Sequence, residues 1–305
     1  MFEVHGAPEA MNSAPRALDR FAFLMMALLC ASWGLNQVAA KLAFVDIAPV
    51  TQAALRSGLG SIVLLIYAWR RRPQIFRADG TLAAGLVIGL LFAGEFIALF
   101  LSLRFTTASR AVVFLFTAPL FVGVGAFAFL PSERLRPLQW LGMGMAFLGV
   151  AVGFYRASPG ATLQGDLLAL LAGAFWGATT VVLKATKLSR SDPLVTLFYQ
   201  TVIGAIASAL YAFAIGEPFP THLSAISALC LGYQSFYIVG FTYLVWFWLL
   251  KTYRAAELSA FTFTSPIVGV IAGWLILGDA LTPSFLVAVA MVAAGILTIN
   301  WPTRI

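Results

Sequence analysis

The sequence predicts an all-α membrane protein of ten transmembrane helices, arranged as two five-helix repeats of opposite orientation. Three observations carry this prediction: a composition too apolar for water, apolar blocks of membrane-spanning length, and motifs that recur at nearly constant spacing. Hydrophobic residues make up 61% of the 305 residues and charged residues 10%, with a mean hydropathy of +0.93. Soluble domains are roughly half apolar and a quarter charged, so water is not the main solvent of this chain.

The apolar blocks fall at residues 21–44, 50–69, 82–103, 111–130, 138–155, 165–187, 194–215, 225–250, 258–277 and 284–301. Each approaches the roughly 20 residues that a helix needs to cross a hydrocarbon core about 30 Å thick. In lipid the backbone must satisfy its own hydrogen bonds, which leaves helices or closed barrels, and barrel strands alternate instead of forming solid blocks. Ten helical spans follow. Residues 1–20 lack the basic start and short apolar stretch of a cleavable signal, so the first helix is expected to remain in the mature protein.

The net charge of +7 is explained by topology. With the N-terminus inside, Arg16, Arg20, Arg70, Arg71, Arg72, Arg77, Arg134, Arg136, Lys184, Lys187, Arg190, Lys251, Arg254 and Arg304 face the cytoplasm, fourteen in all. Four, Lys41, Arg104, Arg110 and Arg156, face outward, and Arg56 lies within a helix. This positive-inside bias predicts a multi-pass inner-membrane protein with both termini cytoplasmic, its basic excess serving no nucleic acid.

The repeat is read in the residues. Leu29-Cys30-Ala31-Ser32-Trp33-Gly34 with Lys41 matches Ala172-Gly173-Ala174-Phe175-Trp176-Gly177 with Lys184 at an offset of 143. Phe116-Thr117-Ala118-Pro119-Leu120 matches Phe263-Thr264-Ser265-Pro266-Ile267 at 147, and Leu55-Arg56 with Gly60 matches Tyr199-Gln200 with Gly204. A cytoplasmic tail at 1–20 is thus followed by repeats at 21–157 and 158–305. Five crossings per copy is odd, so the second copy enters the membrane from the opposite side, the arrangement that alternating access uses. A duplicated bundle could also serve as a scaffold or an intramembrane enzyme. Against an enzyme, no nucleophile with its base, HExxH or aspartate pair at helical spacing is present, so no catalytic residue is assigned. Without a Walker A sequence, ATP is not the expected energy source. Cys30 and Cys230 fall inside spans without metal-ligand spacing, so no metal or cofactor is expected.

Trp33-Gly34, Trp176-Gly177, the Thr-Ala-Pro and Thr-Ser-Pro of spans four and nine, and Glu133-Arg134-Leu135 after span four resemble the drug/metabolite transporter superfamily, in particular its EamA-type members. One departure is Asp279 in Leu277-Gly278-Asp279-Ala280, where that family usually carries Glu. The resemblance implies a ten-helix carrier for small organic metabolites with a central cavity, and is greatest to the YddG-type exporters of aromatic amino acids.

Candidate site residues follow from polarity and periodicity. Trp33, Asn36 and Gln37 share about a third of the first helix, and Trp176, Thr179 and Thr180 repeat that geometry in the sixth. They either line a cavity or join helices by hydrogen bonds. Lys41 and Lys184 near helix ends read as snorkelling. Glu95, the only acid read as deep within a span, marks a substrate or proton path or serves as partner to Arg56 or Lys41. Arg56 reads equally as that partner or as a snorkelling cation. In span eight, Tyr233, Phe236 and Tyr237 share a face suited to an aromatic ligand or to packing. Pro119 and Pro266 interrupt spans four and nine at matching positions, freeing the carbonyls of Leu115 and Thr262, with Thr117, Thr264 and Ser265 placed to re-satisfy them. Interrupted helices in matching positions point to a central site, so both prolines are read as hinges or cavity walls. The expected function is secondary export of small amphipathic metabolites, amino acids foremost, by alternating access. The alternatives are a carrier of nucleotide sugars or cationic drugs, and a membrane scaffold or receptor.

Overall fold

The computed structural model describes residues 19–71, 80–129, 137–155, 159–253, 258, 261–262 and 264–299. Its helices are α1 Arg20–Ala43, α2 Pro49–Arg71, α3 Leu82–Phe105, α4 Ala108–Leu115, α5 Ala118–Phe129, α6 Pro137–Tyr155, α7 Leu163–Ala185, α8 Pro193–Ala214, α9 Ala225–Gly232, α10 Tyr243–Thr252, α11 Thr264–Leu277 and α12 Pro283–Ile299. A π-helical segment, Tyr233–Thr242, joins α9 to α10. Among the described residues there is no β-strand. Seven helices among them are long and apolar enough to cross a membrane: Arg20–Ala43, Pro49–Arg70, Leu82–Phe105, Ala108–Phe129, Leu163–Ala185, Pro193–Ala214 and Ala225–Trp246. Pro137–Gly153, Thr264–Leu277 and Pro283–Gly295 are shorter apolar helices.

The helix starts are encoded locally. Asp19, Thr107, Thr162, Asp192 and Ser224 each precede a helix, and each side chain accepts a first-turn N–H. Such caps satisfy donors that have no partner within the helix. Leu24, Ile62, Leu90, Leu141, Leu210, Leu229 and Leu275, on seven different helices, are 52 to 74% exposed. An apolar belt of that breadth suits lipid and not water.

The core gathers on α3 and α4, where Phe100, Leu99, Leu103 and Phe114 are almost wholly buried against α1, α7, α11 and α12. The helices pair in a regular pattern: α1 packs on α11 and α7 on α5, α3 on α7 and α1 on α9, α2 on α8, and α6 on α12. Glycines let backbones approach at two of these crossings. A Cβ on Gly34 would stand 2.6 Å from the Ser265 carbonyl oxygen and 2.8 Å from the Gly269 nitrogen. One on Gly177 would stand 2.6 Å from Phe121 Cβ and 3.0 Å from the Ala118 carbonyl oxygen. Ser265 and Ala118 are themselves 147 residues apart, so the two Trp-Gly motifs make equivalent crossings.

The fourth and the eighth expected spans are not continuous α-helices. The fourth breaks at Phe116 and Thr117, just before Pro119, and Thr117 Oγ1 donates to the Phe114 carbonyl at 2.6 Å. α11 begins at Thr264, two residues before Pro266, and Thr264 Oγ1 donates to the Phe261 carbonyl at 2.8 Å. The expected hydroxyl role is thus present, but toward carbonyls one residue earlier than Leu115 and Thr262, because the short hydroxyl arm reaches three residues back. The Ser265 hydroxyl, expected to share this role, has no hydrogen-bond partner. Phe263 and the Glu133-Arg134-Leu135 motif lie outside the described residues. The eighth expected span widens into the π segment, a geometry that recurs at functional sites.

Candidate functional site

Lys41 Nζ donates to the Thr106 carbonyl at 2.7 Å, tying the end of α1 to the end of α3. Asp46 Oδ2 accepts from Ser224 N at 2.8 Å and Oγ at 2.5 Å, tying the loop after α1 to the N-cap of α9. These termini therefore lie at one end of the bundle. Counted from that end, Asn36 and Gln37 lie seven and six residues inside Ala43, Arg56 seven inside Pro49, Glu95 ten inside Phe105 and Gln234 nine inside Ala225. At 1.5 Å per residue they form a polar layer roughly 9–15 Å deep.

This layer is buried and its hydrogen bonding is incomplete. Asn36, Gln37 and Glu95 are 4 to 7% exposed, Arg56 and Gln234 are fully buried, and so is Gln52, one turn from Arg56 toward the end of the bundle. Asn36 Oδ1, Gln37 Oε1, both amide atoms of Gln52 and of Gln234, and all three guanidinium nitrogens of Arg56 have no hydrogen-bond partner. Arg56 Cζ sits 4.0 Å from the centre of the Phe96 ring and 6.0 Å from that of Phe100. Glu95, next to Phe96, lies within electrostatic reach of Arg56. The Tyr243 hydroxyl stands beside both charges without the geometry of a full hydrogen bond to the guanidinium.

The partners of the other expected residues are closer to hand. Trp33 Nε1 donates to Thr242 Oγ1 at 3.0 Å, and its ring meets Trp246 edge-on at 5.6 Å. Trp176 meets Phe116 edge-on at 5.3 Å. Thr179 and Thr180 donate to the Phe175 and Trp176 carbonyls of their own helix, at 2.9 and 3.1 Å. Tyr233 and Tyr237 stack at 5.5 Å and Tyr237 and Phe241 at 5.8 Å, with the two tyrosine hydroxyls bonded to the Ser32 carbonyl and hydroxyl. Phe236 does not share their face and is 52% exposed. The wide π turn brings residues four apart nearly into line, which stacks 233, 237 and 241 and turns 236 away. Lys41 does not snorkel freely, because it holds the α3 C-terminus, where a cation is favoured.

A second polar cluster ties α4 to α7. Arg110, third residue of α4, forms a buried ion pair with Asp166, fourth residue of α7; the side chains are 1 and 2% exposed. Arg110 Nε donates to Asp166 Oδ1 at 3.0 Å, Nη2 donates to the Gly153 carbonyl at 2.7 Å, and Thr106 Oγ1 donates to Asp166 Oδ1 at 2.7 Å. Nearby, Gly278 adopts a φ of 70°, which ends α11 and turns Asp279 back. Asp279 Oδ2 then accepts the Ser109 N–H at 2.8 Å in the first turn of α4. An aspartate is long enough for this capping role, which accounts for the departure from Glu. Sequence reasoning treated Glu95 as the one deep acid, whereas Asp166 is at least as buried. It also missed Gln52, one turn from Arg56 on the same face, a polar pairing that was visible in the spacing. Among the described residues, no cluster of three or more His, Cys, Asp or Glu is grouped to hold a metal.

The sequence pattern of the EamA-like transporter family matches residues 20–155 and again residues 163–301. The chain belongs to this family. It is 27% identical over 283 residues to the uncharacterized transporter YvbV of Bacillus subtilis, covering 92% of each chain. It is 24% identical over 287 residues to a protein of Salmonella typhimurium named a probable amino-acid metabolite efflux pump, covering 91% of this chain and 93% of that one. A crystal structure with 19% sequence identity superposes with a TM-score of 0.62 over 90% of this chain and 96% of its own, a likeness of fold. As an EamA-type protein the chain is a multi-pass membrane transporter for a small molecule, not an enzyme.

Within this EamA chain the two halves carry different chemistry at equivalent positions. At the offsets 143 and 144, Asn36, Gln37, Gln52 and Arg56 correspond to Thr179, Thr180, Thr196 and Gln200. Two of these threonines, 179 and 180, bond their own helix backbone. The first-half residues are longer, and most of them lack partners.

Proposed function

We propose that this chain is a secondary carrier that exports small amphipathic metabolites, foremost amino acids, by alternating access of two inverted five-helix halves. The observation that carries the reading is the buried layer of unpartnered amide and guanidinium groups, whose Gln234 is the chain neighbour of Tyr233 in the Tyr233, Tyr237 and Phe241 stack. Buried polar groups without partners are costly, so such a layer fits a ligand that supplies the missing partners. Two relatives named as probable amino-acid metabolite efflux pumps support this solute class, and the aromatic stack supports a preference for aromatic side chains.

The inverted-repeat reading, with halves at 21–157 and 158–305, is supported by the double family match and by the exchange of helix pairs between halves. The basic residues support cytoplasmic termini in the inner membrane; a reporter fused after residue 305 that is active only in the periplasm would overturn this orientation. Counterflow of labelled amino acids in proteoliposomes tests the function, with accumulation expected only when unlabelled solute is inside. A cationic drug is the second reading, favoured by the buried Glu95. Arg56, charged and at similar depth, weighs against it. Competition by nucleotide sugars or organic cations, with none by amino acids, would replace the leading solute class.

A further inference from the structure

We propose that Arg56 and Glu95 are the two poles of a zwitterion site, Arg56 taking the α-carboxylate of the solute and Glu95 its α-ammonium. The inference rests on the carrier reading and narrows it to solutes that bear both groups. Arg56 starts the argument, because a guanidinium stays protonated in proteins and cannot escape burial by losing its charge. It does not snorkel, since it is fully buried. The Phe96 ring at 4.0 Å covers it on one side but offers no lone pair. A cation–π contact recovers only part of what desolvating an ion costs. The remainder calls for an anion with the geometry to meet a planar fork, which a carboxylate has.

Glu95 is not already that anion. It is the residue next to Phe96 and within electrostatic reach, yet no nitrogen of Arg56 bonds it. A guanidinium and a carboxyl group that lie near each other without bonding can each take one end of an amino acid. Gln52 lies one turn from Arg56 with both amide atoms unpartnered, and the Tyr243 hydroxyl stands by both charges. The ladder of Phe92, Phe96 and Phe100 on α3, with ring centres 4.7 and 6.1 Å apart, offers an apolar wall for the side chain.

The test uses the full-length chain purified and reconstituted, with phenylalanine, leucine and threonine as probes beside phenethylamine and 3-phenylpropionate, which each lack one pole. Binding is read as ligand-induced thermal stabilisation, and transport as counterflow. The expected result is that phenylalanine competes at least tenfold better than either one-pole analogue. Arg56→Gln should lose at least tenfold for phenylalanine while phenethylamine keeps its affinity, and Glu95→Gln should spare 3-phenylpropionate in the same way. The double variant Arg56→Gln with Glu95→Gln decides between recognition and mutual support. Recovery of phenylalanine counterflow in that variant would mean that the charges serve only each other and would overturn the proposal; a folded but inactive double variant supports it. Equal competition by the one-pole analogues in the native protein also overturns it and leaves the carrier reading standing. Amino-acid binding without counterflow upholds the site and removes the carrier reading, and the absence of both removes both.

Discussion

Gly34→Ala adds one methyl group where two helices cross, and its cost follows from what that methyl would meet. The new Cβ would lie 2.6 Å from the Ser265 carbonyl oxygen, 2.8 Å from the Gly269 nitrogen and 2.8 Å from Val268 Cβ. Two of these are backbone atoms that cannot rotate aside, so α1 and α11 must separate by several tenths of an ångström. Overpacking of this kind costs about 1–3 kcal/mol. Contact with backbone on two sides places Gly34→Ala near 2 kcal/mol or above, roughly a thirtyfold loss in the folding equilibrium. In α6, a Cβ on Gly144 would meet nothing within 4 Å, so Gly144→Ala serves as the control and should be neutral or stabilising by up to about 1 kcal/mol, the helix preference of Ala over Gly. Thermal unfolding of both variants in the same detergent measures the difference, and Gly177→Ala should follow Gly34→Ala. If Gly34→Ala and Gly144→Ala melt alike, the close crossing is not the reason for glycine in the Trp-Gly motif.

Asp166→Ala should cost about 3–5 kcal/mol by leaving Arg110 buried without its partner, and a double-mutant cycle with Arg110→Ala should be strongly non-additive in unfolding measurements. In the loop between α1 and α2, hydrogen bonds from the Ser224 hydroxyl, first among the causes, help hold the Asp46 carboxyl at about 2, below its ordinary 3.8. Because the folded value is the lower one, this contact stabilises the fold above about pH 4 and is lost as pH falls through about 2. Melting curves between pH 5 and 2 should therefore show a smaller acid-induced drop in Ser224→Ala than in the native chain. Tyr237→Ala breaks the stack and removes the bond to Ser32, so affinity for phenylalanine in counterflow competition should fall by about 1 kcal/mol or more while leucine is spared. Equal losses for both would assign the ring to packing.

Much of the helical plan was legible because lipid leaves so few alternatives, and Trp33-Gly34 and Trp176-Gly177 mark equivalent crossings. The π segment was not legible. A wider turn has no compositional signature, and assuming 100° per residue put Phe236 beside Tyr233 and Tyr237, from which the real turn removes it. Asp166 escaped attention because an acid in the first turn of a span reads as an interfacial cap, and only the fold brings Arg110 down upon it. For the candidate site, Arg56 and Glu95 were visible as charges in apolar surroundings, but their separation depends on how α2 and α3 lean together, which no local pattern encodes.

An inverted repeat gives both halves nearly the same backbone frame, whereas a zwitterion has two unlike poles. A site near such an axis must therefore break the symmetry with side chains. Under the proposed inverted repeat this sequence does so in one direction: Asn36, Gln37, Gln52 and Arg56 of the first half correspond to Thr179, Thr180, Thr196 and Gln200 of the second. A threonine in lipid can satisfy its hydroxyl on its own helix, as Thr179, Thr180 and Thr242 do, and asks nothing of a ligand. Longer amides and charges cannot close on themselves in this way, so their unmet hydrogen bonds are directed outward from the helix. The exchange predicts where function is sensitive. Thr179→Val and Thr180→Val should leave counterflow within about twofold of the native chain, since each removes a hydroxyl already bonded locally, at a cost of about 1 kcal/mol at most. Asn36→Leu and Gln37→Leu, which replace each amide by hydrocarbon, should reduce it at least tenfold at unchanged expression. Equal sensitivity of the two sets would refute the assignment of recognition to the first half and return the threonines of α7 to the solute path.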